Sequence, residues 1–300
     1  MRSRDTALAL LVVVLWGVSF VVIKLGLRGV SPFVLGGLRC ALAAFPAVFF
    51  VAPPRVPLRV YAAFAGTTFL AQFALLFWAI HLGMPSGLSS VIQPSQAFFT
   101  IVLAAIVFRE MPTRAQCLGM ALAASGLILI GSGRGASIPL AAFALNLCSA
   151  ASWAVGNLAS RSLSRYGPVN GFAFVVWSGL LPPLPFFVLA WWFEGAGAVA
   201  ASFRAMDATS WAAVAYLGVG ATLAGYGLWN RLLKSYPAAQ VTPFALLVPV
   251  IGLAAGAVTF GERFTAAQLV GSALIATGLA VPVIAARRVV RSVTGPASRP

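Results

Sequence analysis

The groups able to do chemistry in this chain are few, and they sit inside apolar stretches. Trp16, Ser19, Gln72, Trp78, His81, Gln93, Gln96, Asn146, Trp153, Asn157, Trp177, Tyr226 and Asn230 place hydroxyl, amide, imidazole and indole groups among runs of Leu, Val, Ala and Phe. Such groups can hydrogen-bond a small polar solute that has left water, which makes them candidate substrate contacts. An indole serves as often as an interface anchor, and an amide as often as a bond between helices. Ionisable groups are scarcer. Arg39 is the one basic residue well inside an apolar run, Lys24 lies near the end of the first run, and no Asp or Glu is expected deep in one. His81 is the only histidine. It could titrate near neutral pH or simply bond the loop beside it.

This inventory excludes several chemistries. Serine hydrolysis needs a nucleophile beside a base, and "GMPSGLSS" after His81 lacks the GxSxG elbow. A metal needs clustered ligands; one histidine without deep carboxylates does not supply them, and Cys40, Cys117 and Cys148 lack CxxC spacing. No metal, disulfide or cofactor is expected, and an intramembrane enzyme is the weaker alternative. A phosphorylated sugar or nucleotide sugar would need several buried cations, so a neutral or zwitterionic small molecule fits better.

The elements that must hold these residues follow from composition. At 61% hydrophobic and 8% charged, the chain has too few polar residues to cover a 300-residue soluble globule. The net charge of +15 is spread thinly between apolar runs, so no nucleic acid is expected and the lipid bilayer is the partner. Apolar runs of spanning length occur at 6–27, 32–52, 59–80, 87–108, 115–131, 138–160, 168–192, 209–234, 238–260 and 265–286. The first is too long for a signal-peptide core. The fold class is all-α integral membrane. With the N-terminus inside, the outer segments hold 5 of the 20 Lys and Arg (Lys24, Arg28, Arg134, Arg204 and Arg263), Arg39 lies in a span, and the remaining 14 are cytoplasmic. Both termini are therefore expected in the cytoplasm.

One passage is written twice. "FREMPTRAQCLGMALAASGL" from Phe108 and "FGERFTAAQLVGSALIATGL" from Phe260 agree at 11 of 20 positions at an offset of 152. Five helices separate the copies, and an odd number inverts the second relative to the bilayer. The expected organisation is two inverted five-helix repeats, residues 1–133 and 134–287, with a cytoplasmic tail over 288–300. That is the architecture of alternating access, with the substrate site at the repeat interface. Thr113 and Thr265 read as helix caps, and Glu110 and Glu262 as carboxylates reaching free amides of the hairpin. Gly119, Gly126, Gly271 and Gly278 suit close helix packing. Pro94, Pro243 and Pro249 should interrupt spans four and nine, and Pro182, Pro183 and Pro185 should distort span seven.

The paired hairpins, the opening "LWGVSFVVIKLGL" with "SPFVLGGLR", and "SSVIQPSQAFFTIVLAAIVFRE" together resemble the EamA-type branch of the drug/metabolite transporter superfamily. The resemblance covers nearly the whole chain. It implies ten helices, a multi-pass position in the bacterial inner membrane and export of small metabolites. "QAFFT" is most similar to exporters of amino acids and cysteine-pathway metabolites. The reading is thus an exporter of neutral or zwitterionic metabolites, amino acids first, working as a monomer, with other metabolites or drugs as the alternative. Lacking a buried carboxylate, it should run down the substrate gradient, with at most a modest proton dependence carried by His81.

Overall fold

The computed structural model describes residues 1–133 and 138–293, with the side chains of 238, 239 and 287–293 excepted. Arg134 and the end of the tail, expected in an outer loop and in the cytoplasm, lie outside the described residues. Those described are helical without strands. Ten helices are long and apolar enough to cross a membrane: α1 Ser3–Gly26, α2 Pro32–Phe49, α3 Leu58–His81, α4 Ser86–Phe108, α5 Arg114–Ser132, α6 Leu140–Tyr166, α7 Gly171–Ala205, α8 Ala208–Ser235, α9 Thr242–Phe260 and α10 Ala266–Ala286.

Local chemistry sets the helix starts. The Ser31 hydroxyl accepts from the Phe33 and Val34 amides to open α2, and the Asp207 carboxylate accepts from the Ser210 amide to open α8. Thr113 and Thr265 cap α5 and α10 as expected, each in a reciprocal box with a glutamine three residues on, Gln116 and Gln268. The glutamates are not part of these boxes. α7 runs past the expected end at 192, because Gly195, at φ 83°, breaks the helix and a second helical stretch carries on to Ala205.

Four breaks in regular winding fall in matched places. A 3-10 turn occupies Gln93–Ser95 in α4 and another Thr242–Leu247 in α9, where Pro94 and Pro243 offer no amide to the ladder. π-helical stretches fill Ala65–Ala71 in α3 and Tyr216–Ala224 in α8, which sequence reasoning did not anticipate. Packing is matched as well. α1 lies on α8 and α9 while α6 lies on α3 and α4, and α2 meets α7, α4 meets α9 and α5 meets α10. Along that last pair, a methyl group on Gly119 would stand 2.5 Å from the Gly278 carbonyl, and one on Gly126 would stand 2.5 Å from that of Gly271. As numbers rise on α5 they fall on α10, so the helices run antiparallel at backbone contact.

The spans alternate in direction, which defines two ends. The start of α1 and the end of α8 meet where Tyr236 donates to Asp5, marking the near end. The end of α1, the start of α4 and the end of α9 meet at Glu262, marking the far end. Large apolar side chains such as Leu184 and Val258, 73% and 87% exposed, face outward as a lipid-contacting surface requires.

Candidate functional site

The far end is shut around one carboxylate. Glu262 follows α9 after Gly261, whose φ of 63° turns the chain back, and only 8% of its side chain is exposed. Oε1 accepts from Lys24 Nζ at 2.8 Å and from both the Ser86 amide and hydroxyl at 2.9 Å; Oε2 accepts from the Gly87 amide at 2.9 Å. Glu262 thus reaches free amides, as the sequence suggested, but those of α4 rather than of its own hairpin. Glycines give it room: a methyl at Gly256 would fall 2.4 Å from Oε2. Burial alone would raise its pKa, yet the bonds from Lys24, Gly87 and Ser86 outweigh burial and hold the carboxyl below the usual range.

The near end carries the counterpart in the open. Glu110, at the same point of the first copy, takes a two-pronged bond from Arg161, Nη1 to Oε2 at 2.7 Å and Nη2 to Oε1 at 2.5 Å, with both side chains about half exposed. Those bonds hold the Glu110 carboxyl below its ordinary value. At the same end, a cleft of about 670 Å³ opens between the start of α7 and the last turns of α8, lined by Asn170, Phe172, Gly227, Asn230, Arg231 and Lys234 among others.

Between the ends, the expected contact residues separate into groups. The Gln93 amide nitrogen donates to Asn146 Oδ1 at 2.7 Å and Ser149 Oγ at 2.9 Å, Asn146 donates to Ser89 at 3.1 Å, and Ser149 donates to the Gln72 carbonyl at 2.8 Å. This network is buried between α3, α4 and α6. Asn157 donates to Gln96 Oε1 and to Thr100 on α4. Trp16 donates to the Ala221 carbonyl, in the π stretch of α8, and its ring lies 5.6 Å from that of Tyr226. Ser19 bonds its own helix at the Trp16 carbonyl. Asn230 lines the cleft.

Others stand apart. Trp177 donates to the Val51 carbonyl and holds the chain after α2. Trp78 packs between Phe33 and His81, and His81 is exposed at the far end. Trp153 is half-buried on α6. Sequence reasoning passed over Glu194, which lies inside α7 with Oε2 buried and unpartnered. The signal was a Glu-Gly step closing an apolar run. Sequence reasoning placed Arg39 inside a span without counting it among the substrate contacts.

The EamA-like transporter family profile matches residues 6–132 and 140–284, and the chain belongs to that family. It is 45% identical over 290 residues to a "Probable amino-acid metabolite efflux pump" of Salmonella typhimurium, covering 96% of this chain and 97% of that protein. It is 43% identical, with the same coverage, to the protein of that name in Escherichia coli. A "Probable terminal-alkyne amino-acid exporter" of Streptantibioticus cattleyicolor is 27% identical over 92% of each chain. One solved crystal structure superposes with a TM-score of 0.64 over 96% of this chain and 99% of its own at 20% identity, which supports the fold alone. The protein is a multi-pass membrane transporter.

Proposed function

We propose that the chain exports small zwitterionic amino-acid metabolites across the bacterial inner membrane by alternating access, with two inverted five-helix halves moving against each other. The observation that carries this reading is the pair of matched ion pairs in unequal states. Glu110 with Arg161 and Glu262 with Lys24 each join the hairpin of one half to the first helix of the other, one exposed and one buried. An inverted-repeat carrier closed at one end and open at the other would show that inequality. The matched 3-10 turns and π stretches, the antiparallel glycine contact of α5 with α10 and the two stretches of family similarity support the same reading.

The near end is taken as cytoplasmic from its excess of Lys and Arg. The open cleft then receives substrate from the cytoplasm, the direction an exporter requires. Asn230 lines that cleft, and Tyr226 on α8, packed against Trp16 of α1, is offered as the next contact inward, whereas Gln72, Gln93, Asn146, Gln96 and Asn157 tie helices together. The names of the relatives in Salmonella typhimurium and Escherichia coli favour amino-acid metabolites over other cargo.

The test is exchange in proteoliposomes loaded with labelled neutral amino acids or with sugar phosphates. Preferential exchange of amino acids is expected. Preference for a phosphate ester would overturn the substrate class.

A further inference from the structure

Arg39 sits near the middle of α2 at 6% exposure, and no acid in the chain meets it. Asp5, Glu110, Asp207 and Glu262 are engaged at the ends with Tyr236, Arg161, Ser210 and Lys24, and Glu194 makes no ion pair. The guanidinium carbon lies 3.7 Å above the centre of the Phe73 ring. Its Nη2 reaches Thr222 Oγ1 at a long 3.4 Å, and Nε has no partner. Thr222 gives its own proton to the Leu217 carbonyl five residues back, so it can only accept from Arg39. An aromatic face softens the cost of a desolvated cation but does not replace an anion.

The two under-used nitrogens, Nε and Nη2, share one edge of the guanidinium, the edge that takes a carboxylate side-on through two parallel N–H bonds. Arg39 borders a small cavity of about 10 Å³, room for about one water. Facing Arg39 across it, three of its lining residues lie on irregular backbone: Phe69 in the π stretch of α3, Gly179 at the bend of α7 and Thr222 in the π stretch of α8. Such winding at membrane depth belongs where it lines a cavity. α2 and α3 belong to one half and α7 and α8 to the other, so relative motion of the halves would widen this space. We infer that Arg39 is the docking point for the substrate's carboxylate, its Nε and Nη2 edge exchanging the long Thr222 bond for two bonds to the anion. The inference rests on the exporter reading and adds an anion-binding residue to it.

The test uses the full chain purified in detergent, with melting temperature followed against concentration of neutral L-amino acids, their carboxamides and the matching α-hydroxy acids. Wild type should be stabilised by an amino acid and not by its carboxamide. Arg39→Gln should bind about 100-fold more weakly, the loss of a two-pronged charge-assisted contact. Without ligand, Arg39→Gln should melt no lower than wild type, since it removes an unpaired buried charge. Arg39→Lys keeps the charge without the fork and should bind about 10-fold more weakly; it carries the test should the Gln variant aggregate. Equal affinity in wild type and both variants, or a carboxamide that binds as well as its acid, would overturn the inference. Binding of hydroxy acids alone, through Arg39, would sink the amino-acid reading and leave the anion site standing. No stabilisation by any of these compounds would overturn both.

Discussion

The two ends of this transporter carry the same chemistry and hold it differently. At the far end Glu262 sits 8% exposed, with four donors converging on its two oxygens; at the near end Glu110 has one partner and stands half in solvent. The difference lies in the neighbours. Gly87 and Gly256 let the α4 amides close over Glu262, while Arg161 and Glu110, with the Phe108 ring against the guanidinium, stay about half exposed. A carboxylate that ends a hairpin becomes a latch only when a helix N-terminus and a cation arrive together.

Breaking the latch should have the largest effect. Glu262→Ala leaves Lys24 and the α4 amides without an acceptor, and should cost about 2 to 4 kcal/mol of stability, read as a lower melting temperature. Gly256→Val should act in the same direction, because its side chain enters the space of Oε2. Ser86→Ala removes one of the four bonds and should cost about 1 kcal/mol.

Both carboxyls are held low by their partners, so acid should weaken each, with the larger loss at the more buried Glu262. A carboxyl held below its unfolded value adds stability that is present above that value and lost as pH falls through the folded one. Glu262 is held low, so the far end should stay shut across the neutral range and loosen only as pH falls below the ordinary carboxylate range. Salt should not reproduce this, since the Glu262 carboxylate is 8% exposed and Lys24 mostly shielded.

The near pair should prove much weaker. Glu110→Gln should leave the melting temperature almost unchanged, with any difference vanishing at high salt, as for other exposed ion pairs. The smallest effect belongs to His81→Gln. His81 is exposed, with Trp78 beside it, so the variant should retain exchange and its response to an imposed pH gradient.

Much of this was legible in the sequence. Run lengths gave the spans because twenty apolar residues have few other uses, and the doubled Phe-x-Glu passage located both carboxylates. Their unequal burial was not legible, since it depends on Gly87 and Gly256, which lie far from each other in sequence. The π stretches were hidden because Thr67, Thr68 and Thr222 are ordinary residues in apolar runs. Among the candidate contacts, spacing could not separate Gln93 and Asn146, which are bonded to each other between helices, from Asn230, which lines open space.

The central claim is that the resting protein is open to the cytoplasm and latched at the far end by Lys24 and Glu262. It is tested most directly by thiol accessibility in a background with Cys40, Cys117 and Cys148 replaced. Cysteines are placed singly at Asn230, in the cleft, and at Ser90, buried beneath the latch, and membrane-impermeant reagent is applied from each side. Asn230→Cys should react from the cytoplasmic side, and Ser90→Cys should be protected from outside until Glu262→Gln is added. Reaction of Ser90→Cys from outside in the intact latch, with Asn230→Cys protected, would contradict the account.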